Sequence, residues 1–148
     1  MSLQEQVTKQ LKTAMKAKDS VAMESLRAIK SAILLAQTQA GAQDLTADDE
    51  IKLIQKLVKQ RKDSAEIFRQ QGREDLAGPE EEQIKIIEQF LPEQLDEASI
   101  GKIVDTIIAQ TNAEGIKDMG KVMGMASKQM VGKADGKTIS TIVRQKLA

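Results

Sequence analysis

Apolar residues recur at intervals of three and four along almost the whole of this 148-residue chain. The first apolar stripe consists of Leu3, Val7, Leu11 and Ala14. The most regular stripe consists of Ile100, Ile103, Val104, Ile107 and Ile108. This spacing gathers apolar side chains on one face of an α-helix, which turns by about 100° per residue. The sequence therefore predicts an all-α fold in which each helix buries one stripe.

The pair Leu91-Pro92 divides the chain into two parts. Proline disfavours helix for the residue that precedes it, so a helical stretch is expected to end here. About four helices are expected before this point and three after it. The sequence thus predicts an N-terminal helical hairpin or bundle over residues 1–92 and a C-terminal three-helix bundle over residues 93–148.

Several helix starts are predicted from residues whose short polar side chains accept hydrogen bonds from first-turn amides. Asp19, Asp96 and Asp118 are expected to cap helices in this way, and Thr46 is expected to form a capping box with Asp49. Residues 41–45 are expected to form a loop. The buried stripe expected for the second helix consists of Val21, Ser25, Ala28, Ile29, Ala32, Ile33 and Ala36.

Gly78-Pro79 is expected to open the fourth helix, because proline suits the first turn of a helix. The run Glu80-Glu81-Glu82 would then be a solvated first turn at the positive end of the helix dipole. Arg61 falls within the apolar stripe of the third helix, and a half-buried arginine needs carboxylate or carbonyl partners. We expect a structural tie between Arg61 and residues 72–80, with Asp75 as acceptor, rather than a substrate contact.

The charges of the chain balance overall but not locally. There are 22 basic and 22 acidic residues, so the molecule as a whole has no general attraction for nucleic acid. Residues 117–148 hold seven basic and two acidic residues, which gives a local charge of +5. An anionic partner is therefore expected to bind the C-terminal part.

A methionine-rich helix is predicted over residues 119–131, with Met119, Val122, Met123, Ala126 and Met130 on its buried side. Helical geometry places Gly124 near Lys121 and Lys128, on the opposite side. Bare backbone beside positive charge is a surface that a nucleic-acid backbone could approach closely. The predicted RNA-binding residues are Gly120, Lys121, Gly124, Lys128, Lys133 and Lys137.

Each of these residues also has a purely structural interpretation. Gly120 and Gly124 each cost a helix about 1 kcal/mol relative to alanine, and close packing against another helix would explain them without a ligand. The lysines are equally compatible with an ordinary solvated face. Residues 132–136 are most simply a helix end and a turn, because the glycine spacing of a phosphate-binding loop is missing.

Two residue types that carry much of enzyme chemistry are missing from the sequence. It contains no cysteine and no histidine, which excludes disulfides, thiol nucleophiles, Cys/His metal sites and the usual proton shuttle. We therefore predict no catalytic residues, no metal ligands and no cofactor. Only Phe68 and Phe90 are aromatic, so no platform exists for stacking successive bases, whereas structured RNA bound through its backbone remains open. No apolar stretch is long enough for a signal peptide or membrane span, so a cytoplasmic location without a membrane partner is expected.

The sequence resembles the GatB/YqeY family, and most closely its free-standing YqeY-type members. The resemblance lies in short motifs spread over nearly the whole chain: Ala14-Met15-Lys16-Ala17-Lys18-Asp19, Leu26-Arg27, Lys59-Gln60-Arg61 with Ser64, Gly72-Arg73-Glu74-Asp75-Leu76-Ala77 with Glu80, and Phe90-Leu91-Pro92. The C-terminal runs Gly120-Lys121-Val122-Met123 and Gly132-Lys133-Ala134-Asp135 resemble the tail domain of the B subunit of the glutamine-dependent tRNA amidotransferase. At Gly136 the sequence departs from that tail, where proline is usual.

The resemblance implies a tRNA-binding accessory protein. In the amidotransferase the tail grips tRNA while the chemistry lies in other domains and subunits, and this chain lacks the kinase-like catalytic body. The family also carries the label of a carbon–nitrogen ligase with glutamine as amido-N-donor, so whether this chain is an enzyme stays open. The alternative is a helical protein-interaction module that docks on an amidotransferase, synthetase or ribosome-associated protein, through exposed apolar residues such as Leu34 or Met125.

Overall fold

The computed structural model describes residues 2–39, 41 and 44–148, and within these residues it contains helices and no strand. The all-α prediction is therefore confirmed. Seven α-helices and one short 3₁₀ turn, Ile116–Asp118, follow one another along the described chain. The helices are α1 Leu3–Ala17, α2 Ser20–Gln39, α3 Ala47–Gln70, α4 Glu74–Glu88, α5 Glu97–Thr111, α6 Met119–Gln129 and α7 Gly136–Leu147.

The chain divides into two compact units, one ending at Leu91 and the other comprising Pro92–Ala148. Each unit has a hydrophobic core of its own, built from α1 to α4 in the first and from α5 to α7 in the second. No described helix combines the length and the apolar composition needed to cross a bilayer.

The first unit begins with a helix whose predicted face is the face that it buries. The buried residues of α1 are Leu3, Val7, Leu11 and Ala14. Its start is fixed by a capping box, in which the Ser2 hydroxyl accepts from the Glu5 amide and the Glu5 carboxylate accepts from the Ser2 amide. This closes two of the amides that a helix N-terminus leaves without partners.

Helix α2 starts as predicted but buries a wider surface. The Asp19 carboxylate accepts from the Ala22 amide at 3.1 Å, which confirms the predicted cap. Leu26 and Ala22 are buried although the predicted stripe omits them, whereas Val21 and Ala28 are half-exposed. The stripe prediction was wrong at these positions because α2 packs against both α1 and α4, so more than one of its sides is covered.

Helix α3 begins with the predicted capping box. The Thr46 hydroxyl accepts from the Asp49 amide, and the Asp49 carboxylate accepts from the Thr46 amide, each at 3.1 Å. These hydrogen bonds hold the pKa of the Asp49 carboxyl below its ordinary value. The predicted loop of residues 41–45 includes Ala42 and Gln43, which lie outside the described residues.

The prediction that Gly78-Pro79 opens the fourth helix was wrong. Helix α4 begins at Glu74 and contains Pro79 in its second turn. Proline costs a helix one hydrogen bond and crowds the carbonyl four residues earlier, but here that carbonyl belongs to the first turn. The early start is held by Ala77, which is 0% exposed, and by an ion pair of 3.1 Å between Arg69 and Glu74. The run of three glutamates therefore lies inside α4, where Glu81 also pairs with Arg69.

Arg61 ties α3 to α4, but through a different partner from the predicted one. Its Nε donates to the Gln83 side-chain oxygen at 2.9 Å, and its Nη1 donates to the Leu57 carbonyl at 3.1 Å. Asp75 instead accepts from Arg73. The choice of Asp75 was wrong because α4 begins at Glu74, which puts Asp75 within reach of Arg73.

The second unit is a small bundle with a continuous core of α5, α6 and α7. Its fully buried side chains include Ile100, Val104, Ile107, Met130 and Ile139. The predicted cap of α5 is confirmed, since the Asp96 carboxylate accepts from the Ser99 amide at 2.7 Å. The backbone hydrogen bond from Ser99 also holds the pKa of the Asp96 carboxyl below its ordinary value.

Replacing Gly136 by proline is expected to stabilise the second unit by up to about 1 kcal/mol. Gly136 is the first residue of α7, where a missing amide hydrogen costs nothing, and Asp135 before it is extended (φ −81°, ψ 154°), as proline requires. A side chain there meets no atom within 4 Å. The measurement is native-state hydrogen exchange of the α7 amides, which should slow by up to about fivefold. Faster exchange would contradict this account of the helix start.

Candidate nucleic-acid interface

The candidate interface is built on α6, which is entered through the 3₁₀ turn Ile116–Asp118. The predicted side-chain cap by Asp118 was wrong. Its carboxylate instead accepts from the Glu114 amide at 2.9 Å, while its own amide donates to the Gly115 carbonyl. Because Asp118 is itself part of the 3₁₀ turn, its side chain serves the turn rather than the helix that follows.

The two sides of α6 differ as predicted. Val122 and Ala126, together with Met130 just beyond the helix, are fully buried in the core of the second unit. The residues on the opposite side are all exposed: Gly120, Lys121, Gly124 and Lys128. We call these four residues the glycine–lysine face.

The two glycines of this face are not explained by packing within the described structure. A Cβ atom built on Gly120 or Gly124 meets nothing within 4 Å. Gly101 provides the contrast, because a Cβ there would lie 3.4 Å from the Lys146 side chain. Neither Gly120 nor Gly124 has the positive φ that favours glycine. The close-packing interpretation is therefore wrong for α6, and the helix bears the cost of two glycines that no contact within the described chain requires.

The lysines of the C-terminal part differ in how they are paired. Lys146 contacts Asp105 at 2.9 Å, and Lys117 contacts Glu114 at 3.3 Å, so part of the local positive charge is neutralised. In contrast, Lys121, Lys128 and Lys133 are exposed and make no ion pair with any described residue. Their ammonium groups are the positive charge that this surface offers to a partner.

The predicted residues outside α6 follow it directly in the chain. Lys133 lies in the turn after α6, and Lys137 lies exposed in the first turn of α7. All six predicted residues therefore belong to two consecutive helices and the turn that joins them. Gly132, with φ of 75°, provides the left-handed residue with which the turn begins.

The turn that carries Lys133 is fixed on both sides of its backbone. The amides of Lys133 and Ala134 both donate to the Met130 carbonyl. The Gly132 carbonyl accepts from the Gln94 side chain at 2.6 Å, and the Lys133 carbonyl accepts from the Leu95 amide at 2.8 Å. The two amides are thus used within the turn, which leaves the Lys133 ammonium as its group for an anion. No pattern in the sequence identifies Gln94, because it lies 38 residues away and outside any helical stripe.

The chemistry that this arrangement offers is binding. Positive side chains beside open helix backbone can hold phosphate groups, and such contacts fix position without reading sequence. Among the described residues, no group of three or more acidic side chains is placed to hold a metal ion.

Comparisons with known proteins cover the whole chain. A family model described as "Yqey-like protein" matches residues 4–147. Two fungal relatives are each called "Altered inheritance of mitochondria protein 41, mitochondrial". The one from Pyrenophora tritici-repentis is 31% identical over 139 residues, covering 91% of this chain and 75% of the relative. The one from Clavispora lusitaniae is 36% identical over 120 residues, covering 81% of this chain and 69% of the relative.

An archaeal relative is a much longer protein. It is a subunit of the glutamyl-tRNA(Gln) amidotransferase of Thermococcus gammatolerans, and it is 32% identical over 104 residues. These residues are 68% of this chain but only 17% of that archaeal protein. Similarity of this extent shows common ancestry of the matched segment and leaves the rest of the archaeal protein unmatched.

Proposed function

Because the chain belongs to the Yqey-like protein family, we propose that it is a tRNA-binding accessory protein with no catalytic machinery of its own. The observation that carries the proposal is the glycine–lysine face of α6. It combines unpaired lysines with two glycines whose outer surface is open. Lys133 and Lys137 extend this positive surface through the turn into α7.

The choice of tRNA rests on the archaeal relative. Its name describes part of an enzyme that acts on glutamyl-tRNA(Gln), and the matched segment is a small fraction of its length. A segment shared between a large tRNA enzyme and a 148-residue chain is more simply a binding unit than a catalytic one. Lysine contacts to phosphates would supply affinity, and the shape of a folded RNA would supply selectivity.

The purified protein is expected to bind deacylated total tRNA in a fluorescence anisotropy titration, and affinity should fall steeply as salt increases. Each phosphate contact releases counterions, so the logarithm of the binding constant should fall linearly with the logarithm of salt concentration. Double-stranded DNA of equal length is the polyanion control. Absence of tRNA binding, or equal binding to DNA, would overturn the proposed function.

An interaction module for a translation-related protein is the second candidate, and exposed apolar residues on α2 favour it. Leu34 is 48% exposed and Leu35 is 60% exposed. Met125 is a poorer candidate than predicted, because it is half-buried against the core of the second unit. Under this alternative, Leu34→Glu would disrupt a complex with an amidotransferase, synthetase or ribosome-associated partner, whereas substitutions of the α6 lysines would not.

The remaining parts of the proposal concern catalysis and location. Glutamine-dependent amide synthesis by the isolated chain would overturn the non-catalytic role and restore the carbon–nitrogen ligase label of the family. The proposed location is the cytoplasm. The fungal relatives carry "mitochondrial" in their names, so cell fractionation that recovered this protein from mitochondria would overturn the location alone.

A further inference from the structure

A second positive surface lies in the first unit, on the helical hairpin of α1 and α2. Residues 2–39 contain six basic and three acidic residues, a net charge of +3. Residues 44–91 contain eight basic and twelve acidic residues, a net charge of −4. Positive charge is therefore concentrated on the hairpin although the whole chain is neutral.

Three of these basic residues share one side of α1. Lys9, Lys12 and Lys16 are separated by three and four residues, so they form a single row, which we call the α1 lysine stripe. All three are exposed, and the row lies opposite the buried face of Val7 and Leu11. At 1.5 Å per residue the stripe extends about 10.5 Å along the helix axis.

The acidic residues of the hairpin do not neutralise this stripe. The Glu5 carboxylate accepts from the Ser2 amide, and the Asp19 carboxylate accepts from the Ala22 amide. No carboxylate of a described residue forms an ion pair with Lys9, Lys12 or Lys16. Lysines elsewhere in the first unit do find partners, as Lys59 does with Asp63 at 3.0 Å. The stripe is therefore positive charge that the fold leaves available.

The geometry favours a phosphodiester backbone over other anionic surfaces. A nucleic-acid strand carries about one phosphate per 3.4 Å of helix axis, so three lysines over about 10.5 Å face about three phosphates. An anionic membrane surface fits less well, because an interfacial helix must insert its apolar face. The apolar face of α1 is already buried in the core of the first unit.

We propose that the α1 lysine stripe is a second contact for the backbone of the RNA that the protein binds, an inference that rests on the proposed function. The RNA would thus contact both units of the chain. Two linked contacts bind more tightly than either alone, because the second becomes intramolecular once the first has formed.

The test is a tRNA titration of the full chain in which all three stripe lysines are replaced by glutamine (Lys9→Gln, Lys12→Gln and Lys16→Gln). Affinity is expected to fall at least about tenfold at low salt, and the salt slope should decrease by about 2, since each lost phosphate contact contributes about 0.7 to the slope for a single strand. Glutamine is a good helix former, so helix content by circular dichroism should not change.

The matched control replaces three exposed lysines of α3 and α4 by glutamine: Lys52, Lys56 and Lys85. This control removes the same charge from the acidic part of the first unit and should retain wild-type affinity and slope. Equal losses in both variants would mean that net charge matters rather than the stripe, and would overturn the inference.

The remaining outcomes separate this inference from the function on which it rests. If wild type and the stripe variant bind tRNA with the same affinity and salt slope, the inference is wrong and the proposed function stands. If the wild-type protein does not bind tRNA, both are wrong. Binding of an acidic peptide through the stripe, with unchanged tRNA binding, would assign the surface to a protein partner and would also overturn the inference.

Discussion

Replacing both Lys121 and Lys133 by glutamate will weaken tRNA binding by about 100-fold or more at low salt. Each substitution removes a positive charge that makes no ion pair with a described residue and adds a negative charge that repels phosphate. The fold should persist, because Lys121 is exposed in the first turn of α6, where the helix dipole favours glutamate. Anisotropy against deacylated tRNA gives the loss, and circular dichroism tests the fold.

A variant with Lys52→Glu and Lys56→Glu is the matched control, because it makes the same change in net charge on the exposed side of α3. We expect it to lose much less affinity than the α6 and turn variant. If the Lys121 and Lys133 variant binds tRNA as tightly as the wild type, the glycine–lysine face is not the binding surface.

Replacing Gly120 and Gly124 together by glutamine will change stability and RNA binding in opposite directions. Glutamine is a better helix former than glycine, and both positions have open space, so the second unit should gain roughly 0.5 kcal/mol per substitution. The longer side chains would keep an RNA backbone away from the helix, and we expect affinity for tRNA to fall by about tenfold. Hydrogen exchange of the α6 amides measures the first effect, and anisotropy measures the second.

A control for bulk alone is available on α5, where Ala98 and Ala109 are exposed in the same unit. Replacing both by glutamine adds similar volume away from the glycine–lysine face and should leave tRNA affinity unchanged. Wild-type affinity in the Gly120 and Gly124 variant would show that no partner approaches the bare backbone closely. In that case the two glycines would have no functional explanation in this fold.

The elements that the sequence predicted well depend on neighbours a few residues apart. The stripe of α1 was predictable because a period of 3.6 residues is visible in a single helix. The caps by Asp19, Thr46 and Asp96 were predictable for the same reason, since a cap joins residues three positions apart. The outward position of the glycine–lysine face also follows from the period of α6 alone.

The elements that the sequence did not predict depend on contacts between distant segments. Pro79 marked a helix start by local rules, but burial of Ala77 and the Arg69 ion pairs extend α4 to an earlier residue. Arg61 finds its acceptor 22 residues away, on Gln83. Such pairs have no fixed spacing, so a single sequence cannot identify them.

Gln94 and Leu95 make the position of Lys133 depend on a part of the chain that precedes α5. A fragment beginning at Asp96 would retain all three helices of the second unit and every predicted lysine. The carbonyls of Gly132 and Lys133 would nevertheless lose both of their donors, and the turn would be free to change shape. The smallest heritable piece that carries this surface intact therefore includes the few residues after Leu91, and a gene fusion that trimmed them would transfer the charges without their arrangement.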